Sequence, residues 1–151
     1  MGLLTNEIKE FVQREKLGFI ATVCPDGTPN LSPKGTTNVW DDEHLVFADI
    51  YSPGTINNLL NNPSIEINIV DVFTRRGYRF KGQGTVHSGG PVFGEIVSFY
   101  KKMGAPYLIK NVVLVNVERV APIISPIYDT GMSEPDVRNK WIDYWNSVHG
   151  K

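Results

Sequence analysis

Between Gly18 and His87 the chain never runs far before a turn signal cuts it. The clearest piece is Ile65, Ile67 and Ile69 alternating with Glu66 and Asn68, the period-two pattern of a half-buried strand. Phe19 to Cys24 reads as a strand, and Pro25-Asp26-Gly27-Thr28 is a strong turn, so a hairpin should follow. Asn30–Ser32 and Thr36–Val39 continue the sheet around Pro33-Lys34-Gly35, and Leu45–Ala48 is a short, buried-looking strand after the polar turn at 40–44. Tyr78 to His87 reads as a long strand that Gly82 and Gly84 should bend or bulge. Val112 to Val120 is the last strand, and Ala121 to Thr130 reads as Pro-rich and extended. Many short strands separated by clear turns favour a closed β-barrel.

Helices are added to this frame rather than alternating with it. Thr5 can cap a first helix with Ile8, Phe11 and Val12 on its apolar stripe and Gly18 closing it. Ser52-Pro53 opens a short helix that Asn61-Asn62-Pro63 stops. Pro91 starts another, with a wide apolar face from Val92 to Met103. Ser133-Glu134-Pro135-Asp136 caps a last one, on which Val137, Trp141, Tyr144, Trp145 and Val148 share a face. At 151 residues the chain is long enough for one domain with a real core, 1–151, and needs no staple.

Charge and cysteine content narrow the function. A net charge of −1, from 15 basic and 16 acidic residues, argues against a general nucleic-acid binder. One cysteine, Cys24, rules out an intramolecular disulfide and fits a reducing, cytoplasmic setting. No membrane span, secretory signal or myristoylation pattern is expected. His44, His87 and His149 have no ligand spacing, so no metal site is expected.

Two turns carry the chemistry. Leu31 to Thr37 and Tyr51 to Asn58 each put hydroxyls and Gly-freed amides at a strand end, the first with a lysine. That is the equipment for holding a phosphate without a Rossmann or P-loop sequence. Lys34 reads either as a phosphate ligand or as a solvated turn lysine. Ser52 and Thr55 can cap the helix and face an anion at once. Arg75 and Arg76 read as an exposed hairpin pair, a cofactor contact, or partners for acidic residues across a dimer. Trp141 and Trp145 read as core packing, or as an aromatic lid over a cofactor held by a partner chain.

Ala21-Thr22-Val23, Asp26-Gly27-Thr28-Pro29-Asn30 and Ser32-Pro33-Lys34-Gly35 together resemble the pyridoxamine 5'-phosphate oxidase-like, FMN-binding split-barrel family. The resemblance continues through Leu45-Val46-Phe47-Ala48, Ser52-Pro53, Asn58-Leu59 and Asn62-Pro63 to Arg75–Gly82. It implies a mainly β fold with added helices, a six-stranded antiparallel split β-barrel. It also implies a homodimer holding FMN at the interface, and flavin-dependent oxidoreductase activity on a small-molecule substrate. The residues it implies for FMN are Ser32, Pro33, Lys34, Gly35, Thr36, Ile50, Tyr51, Ser52, Thr55, Asn58 and Arg76. No catalytic acid or base is implied. Relatives use F420 or haem, and a non-catalytic flavin carrier or sensor is the alternative function.

The sequence departs from the family at two places. Gly54-Thr55 stands where many relatives have basic residues for the phosphate. The segment 141–150 lacks the Arg-x-His pair with which true pyridoxamine 5'-phosphate oxidases hold their substrate, so the chain is not expected to be that oxidase.

Overall fold

The computed structural model describes residues 2–150. Seven antiparallel strands form one sheet: β1 (Gly18–Val23), β2 (Pro29–Lys34), β3 (Asn38–Val39), β4 (His44–Asp49), β5 (Ser64–Asp71), β6 (Arg76–His87) and β7 (Asn111–Ile124). Their order is β2-β1-β5-β6-β7-β4-β3. The two edge strands, β2 and β3, are also consecutive in the chain, with three residues between them. A flat sheet would hold its edges six strands apart, so this one must curl until they meet. The result is a split barrel whose seam is the turn Gly35-Thr36-Thr37. One strand more than expected is counted, because the two-residue β3 pairs with β4 through Asn38–Val46 and Val39–Leu45.

The seam explains a glycine. Strand β1 begins at Gly18, where a Cβ would lie 2.5 Å from the Thr37 hydroxyl. Gly18 therefore permits close approach of the seam turn rather than closing the first helix. That helix, α1 (Asn6–Glu15), is instead ended by Lys16, at φ 63°, and its N-terminus is capped by Thr5. The expected bulge in β6 falls between Lys81 and Gly82, where the register with β7 slips. A Cβ on Gly82 would sit 1.9 Å from the Asn116 carbonyl oxygen.

Strand β4 is buried on both faces. Leu45 and Phe47 point into the barrel with Ile20, Ile67, Phe80 and Val113, while Val46 and Ala48 meet Ile96 and Tyr100 of α3 (Gly90–Lys102). Helix α1 contributes Ile8, Phe11 and Val12 to the barrel core, and α2 (Pro53–Asn61) contributes Leu59. The segment read as extended is different in its second half. Residues 121–124 complete β7, but Pro126–Thr130 forms a 3-10 helix started by Ser125, whose hydroxyl accepts the Ile127 N–H. Helix α4 (Glu134–His149) is capped by Ser133 as expected, yet Val137 alone of its side chains is fully buried. No helix among the described residues is long and apolar enough to cross a membrane.

Candidate functional site

The seam turn lies against the end of β4, the strand that leads into α2. The Thr36 hydroxyl joins them, accepting the Ala48 N–H at 3.0 Å and lying 3.3 Å from the Ala48 carbonyl. The Thr37 hydroxyl donates to the Lys34 carbonyl (2.8 Å), and Tyr100 of α3 donates its O–H to the Thr36 carbonyl (2.5 Å). Burial holds that phenol's pKa far above its ordinary value. The turn is therefore held from three sides before any ligand arrives.

A cavity of about 650 Å³ opens at the adjoining start of α2, walled by Asp49, Tyr51, Ser52, Gly54, Lys110 and Asn111 among others. Several of its donors are unused. Ser52 occupies the N-cap, but its side chain makes no capping bond. The helix's own ladder starts with the Ile56 N–H on the Ser52 carbonyl (3.1 Å), leaving Gly54 and Thr55 ahead of it. A Cβ on Gly54 would touch nothing within 4 Å, so the backbone there is open to a ligand. The Lys110 ammonium lies 5.2 Å from the centre of the Tyr51 ring, which is 78% exposed. Uncapped amides, a free hydroxyl and an ammonium form a donor set that fits a phosphate monoester.

The eleven residues expected at the site separate into four groups. Ser32 to Thr36 gather at the seam, where Lys34 donates to the Ser32 hydroxyl (2.6 Å). Desolvation lowers the Lys34 pKa, partly offset by the negative charge of Asp49. Ile50, Tyr51 and Ser52 follow β4 directly, and Tyr51 and Ser52 line the cavity. Thr55 and Asn58 lie on the inner side of α2, and both are buried. Asn58 donates to Thr22 Oγ1 at 3.0 Å and also contacts Cys24 Sγ at 3.7 Å, tying α2 to β1.

Arg76 stands apart from the other three. It lines a second, smaller cleft of about 280 Å³ between α1, the start of β6 and the start of α4. Its Nε is 3.0 Å from Glu134 Oε1, and its guanidinium stacks on Tyr128 at 4.1 Å. Trp141 lies under Arg75 at 3.5 Å, and Trp145 stacks on His149. No cluster of metal-ligating side chains occurs among the described residues.

Asp49, Lys110 and Asn111 were not expected at the site. They converge because β4 and β7 pair antiparallel, which sets Asp49 opposite Asn111. The backbone N–H of Lys110 then donates to the Asp49 carbonyl (3.0 Å), and the Asn111 side chain donates to Asp49 Oδ2 (2.7 Å). More than sixty residues separate the two strands, and no local pattern announces their pairing.

The strand order, the curled sheet and the seam define a split-barrel protein. Residues 4–123 match the pyridoxamine 5'-phosphate oxidase family, and the chain belongs to it. A crystal structure of HupZ from Group A Streptococcus is 29% identical, with a TM-score of 0.75 over 82% of this chain and 96% of that one. An uncharacterized protein of Methanocaldococcus jannaschii, MJ0282, is 29% identical over 89 residues, 58% of the length of each. An FMN-binding protein from Syntrophomonas wolfei shares the fold, with a TM-score of 0.68 at 13% identity, over 81% of this chain and 87% of that one.

Proposed function

We propose that the chain binds FMN in the cavity at the start of α2 and serves as an FMN-dependent oxidoreductase. The observation that carries this reading is the uncapped N-terminus of α2, with the free Ser52 hydroxyl and the open backbone at Gly54 beside Lys110. That donor set supports a phosphate. The family and the FMN-binding neighbour support the identity of the rest of the ligand.

The residues divide the work by their chemistry. Ser52, the first-turn amides of α2 and Lys110 hold the phosphate end. The seam residues Ser32 to Thr36 run beside the ring system, rigid through Thr36 and Tyr100. Lys34, partly desolvated there, supplies positive charge that can turn to an electron-rich edge of the ligand. Bound flavin supplies hydride or single-electron transfer, while the protein supplies orientation and electrostatics. A homodimer is part of this proposal. Phe19 and Leu31 remain exposed, at 39% and 66%, and with Ala21, Val70, Glu66 and Asn68 line a groove on the β2-β1-β5 part of the sheet. That surface would suit a second copy.

The test is a visible absorption spectrum of the purified protein before and after FMN loading and desalting. Retention of a two-banded flavin spectrum, lost in Lys34→Ala with the fold intact, supports the site. A wild-type protein that stays colourless with FMN but takes up the deazaflavin F420 would move the chain to that cofactor. Flavin retained without reduction by NADH or NADPH would favour a carrier.

A further inference from the structure

Asp49 is a buried charged group that the proposed function does not use. It ends β4, is 3% exposed, and lines the cavity beside the start of α2. One carboxylate oxygen, Oδ2, takes the Asn111 amide at 2.7 Å. The other, Oδ1, is shut off from water and meets no hydrogen-bond donor. A carboxyl oxygen left bare and desolvated is an expensive arrangement that native proteins keep for a reason.

Lys34 does not fill the vacancy. Its ammonium is near enough to feel the charge of Asp49, yet its hydrogen bond goes to the Ser32 hydroxyl at 2.6 Å. Lys110 carries its ammonium over the Tyr51 ring instead. The carboxylate is also held firmly, by the Asn111 side chain and by β4–β7 pairing on its own backbone. A fixed acceptor in the wall of a cavity selects for a donor on whatever enters it.

We infer that Asp49 is a specificity-determining residue of this cavity, accepting a hydrogen bond from a hydroxyl on the chain that links the ligand's phosphate to its ring system. The inference rests on the FMN reading above. The phosphate sits at α2, and an anionic group cannot also lie against a carboxylate, so the portion facing Asp49 must carry no negative charge and must donate. A polyhydroxylated linker such as ribityl satisfies both conditions. The Tyr51 ring, mostly in solvent and beside the Lys110 ammonium, lines the same cavity. Asp49 thus positions the ligand and takes no part in electron transfer.

The test is a cycle of two proteins and two ligands. FMN and an analogue with an unhydroxylated five-carbon linker, a 5-phosphopentyl flavin, are titrated into wild type and Asp49→Asn, with binding read by flavin fluorescence quenching. Asparagine keeps the shape and can still accept from Asn111, but it turns an N–H₂ toward the vacancy. A charge-assisted hydrogen bond corresponds to about 10- to 100-fold in affinity. Wild type should therefore lose about that much on going from FMN to the analogue, and Asp49→Asn, which can keep only a neutral hydrogen bond to the hydroxyl, less than about tenfold. Asp49→Ala, which removes the carboxylate and adds neither donor nor acceptor, should lose less than about threefold, and thermal melts of both variants report folding. Equal losses in wild type and in a folded variant would overturn the role of Asp49 while leaving FMN binding intact. Failure of wild type to bind either flavin would overturn the cofactor reading itself, and this inference with it.

Discussion

The two clefts of this protein contain similar side chains and use them in opposite ways. In the cleft between α1, β6 and α4, each arginine meets a carboxylate of the chain itself. Arg76 meets Glu134, Arg138 lies 3.8 Å from Asp71, and Asp71 Oδ1 accepts the backbone N–H of Phe73 at 2.9 Å. In the cavity at the start of α2, Ser52 caps nothing, the first amides of the helix are free, and one oxygen of Asp49 has no donor. Matched charges hold a joint together. Unmatched polar groups around a cavity are groups waiting for a ligand, because the chain gains nothing for its own stability by leaving them bare.

The largest test of this contrast puts a charge at the open helix start. Gly54 has room for a side chain, so Gly54→Asp should fold normally, and an acidic residue there favours the helix by about 0.3–1 kcal/mol. The same carboxylate would stand where the phosphate belongs. FMN affinity should fall by about 100-fold, roughly 2.7 kcal/mol, while the melting temperature holds or rises. Gly54→Lys should change affinity in the opposite direction. Isothermal titration together with thermal melts checks both, and an unchanged dissociation constant in both variants would place the phosphate elsewhere.

Next in size is Tyr100→Phe. It removes the O–H that holds the seam turn from the α3 side and leaves the Thr36 carbonyl without that partner. Stability should fall by about 1–2 kcal/mol in urea titrations. FMN should then bind more weakly too, since the turn would be ordered partly at the expense of binding. A loss of stability with no change in affinity would show that the turn does not touch the ligand.

At the other cleft the same measurements should barely move. Arg76→Ala removes a half-exposed ion pair with Glu134, and such pairs contribute under about 1 kcal/mol. Flavin content should be unchanged. A clear loss of flavin in Arg76→Ala would erase the distinction between joint and site, and would return Arg76 to the cofactor.

How much of this was legible in the sequence follows from the range of each interaction. The strand alternation of Ile65, Ile67 and Ile69, the Ser133 cap and the bulge at Gly82 are local, and each is found where the pattern puts it. Lys16 ending α1 was hidden, because a lysine at positive φ carries no composition signal. The role of Gly18 was hidden too, because it depends on Thr37, nineteen residues away and across the seam. At the site, the two loops could be read because each carries its own turn chemistry. Their adjacency, and the arrival of Asp49, Lys110 and Asn111, depend on β4 pairing with β7, which only the folded sheet reveals. Arg76 was grouped with the phosphate residues through the resemblance, whereas its neighbours in space are Glu134 and Tyr128.

The smallest effect separates the clefts by pH. Lys34 is partly desolvated, and its pKa in the folded protein lies below the ordinary 10.5, with burial as the main cause and Asp49 opposing it. Between that lowered value and 10.5 the unfolded chain binds more protons than the folded one, so the stability of the apo protein should rise as pH climbs through this window. Below the window Lys34 is charged in both states and its desolvation cost is fully present. Lys34→Met removes the titrating group, so its urea midpoint should lose this rise. Arg76→Ala, at the paired cleft, should keep it. Because Lys34 is only partly buried the shift in midpoint will be small, and it is best read as the difference between the two variants as pH rises toward 10.5. If Lys34→Met follows the wild-type curve throughout, the seam lysine is solvated, and its charge is not held in reserve for a ligand.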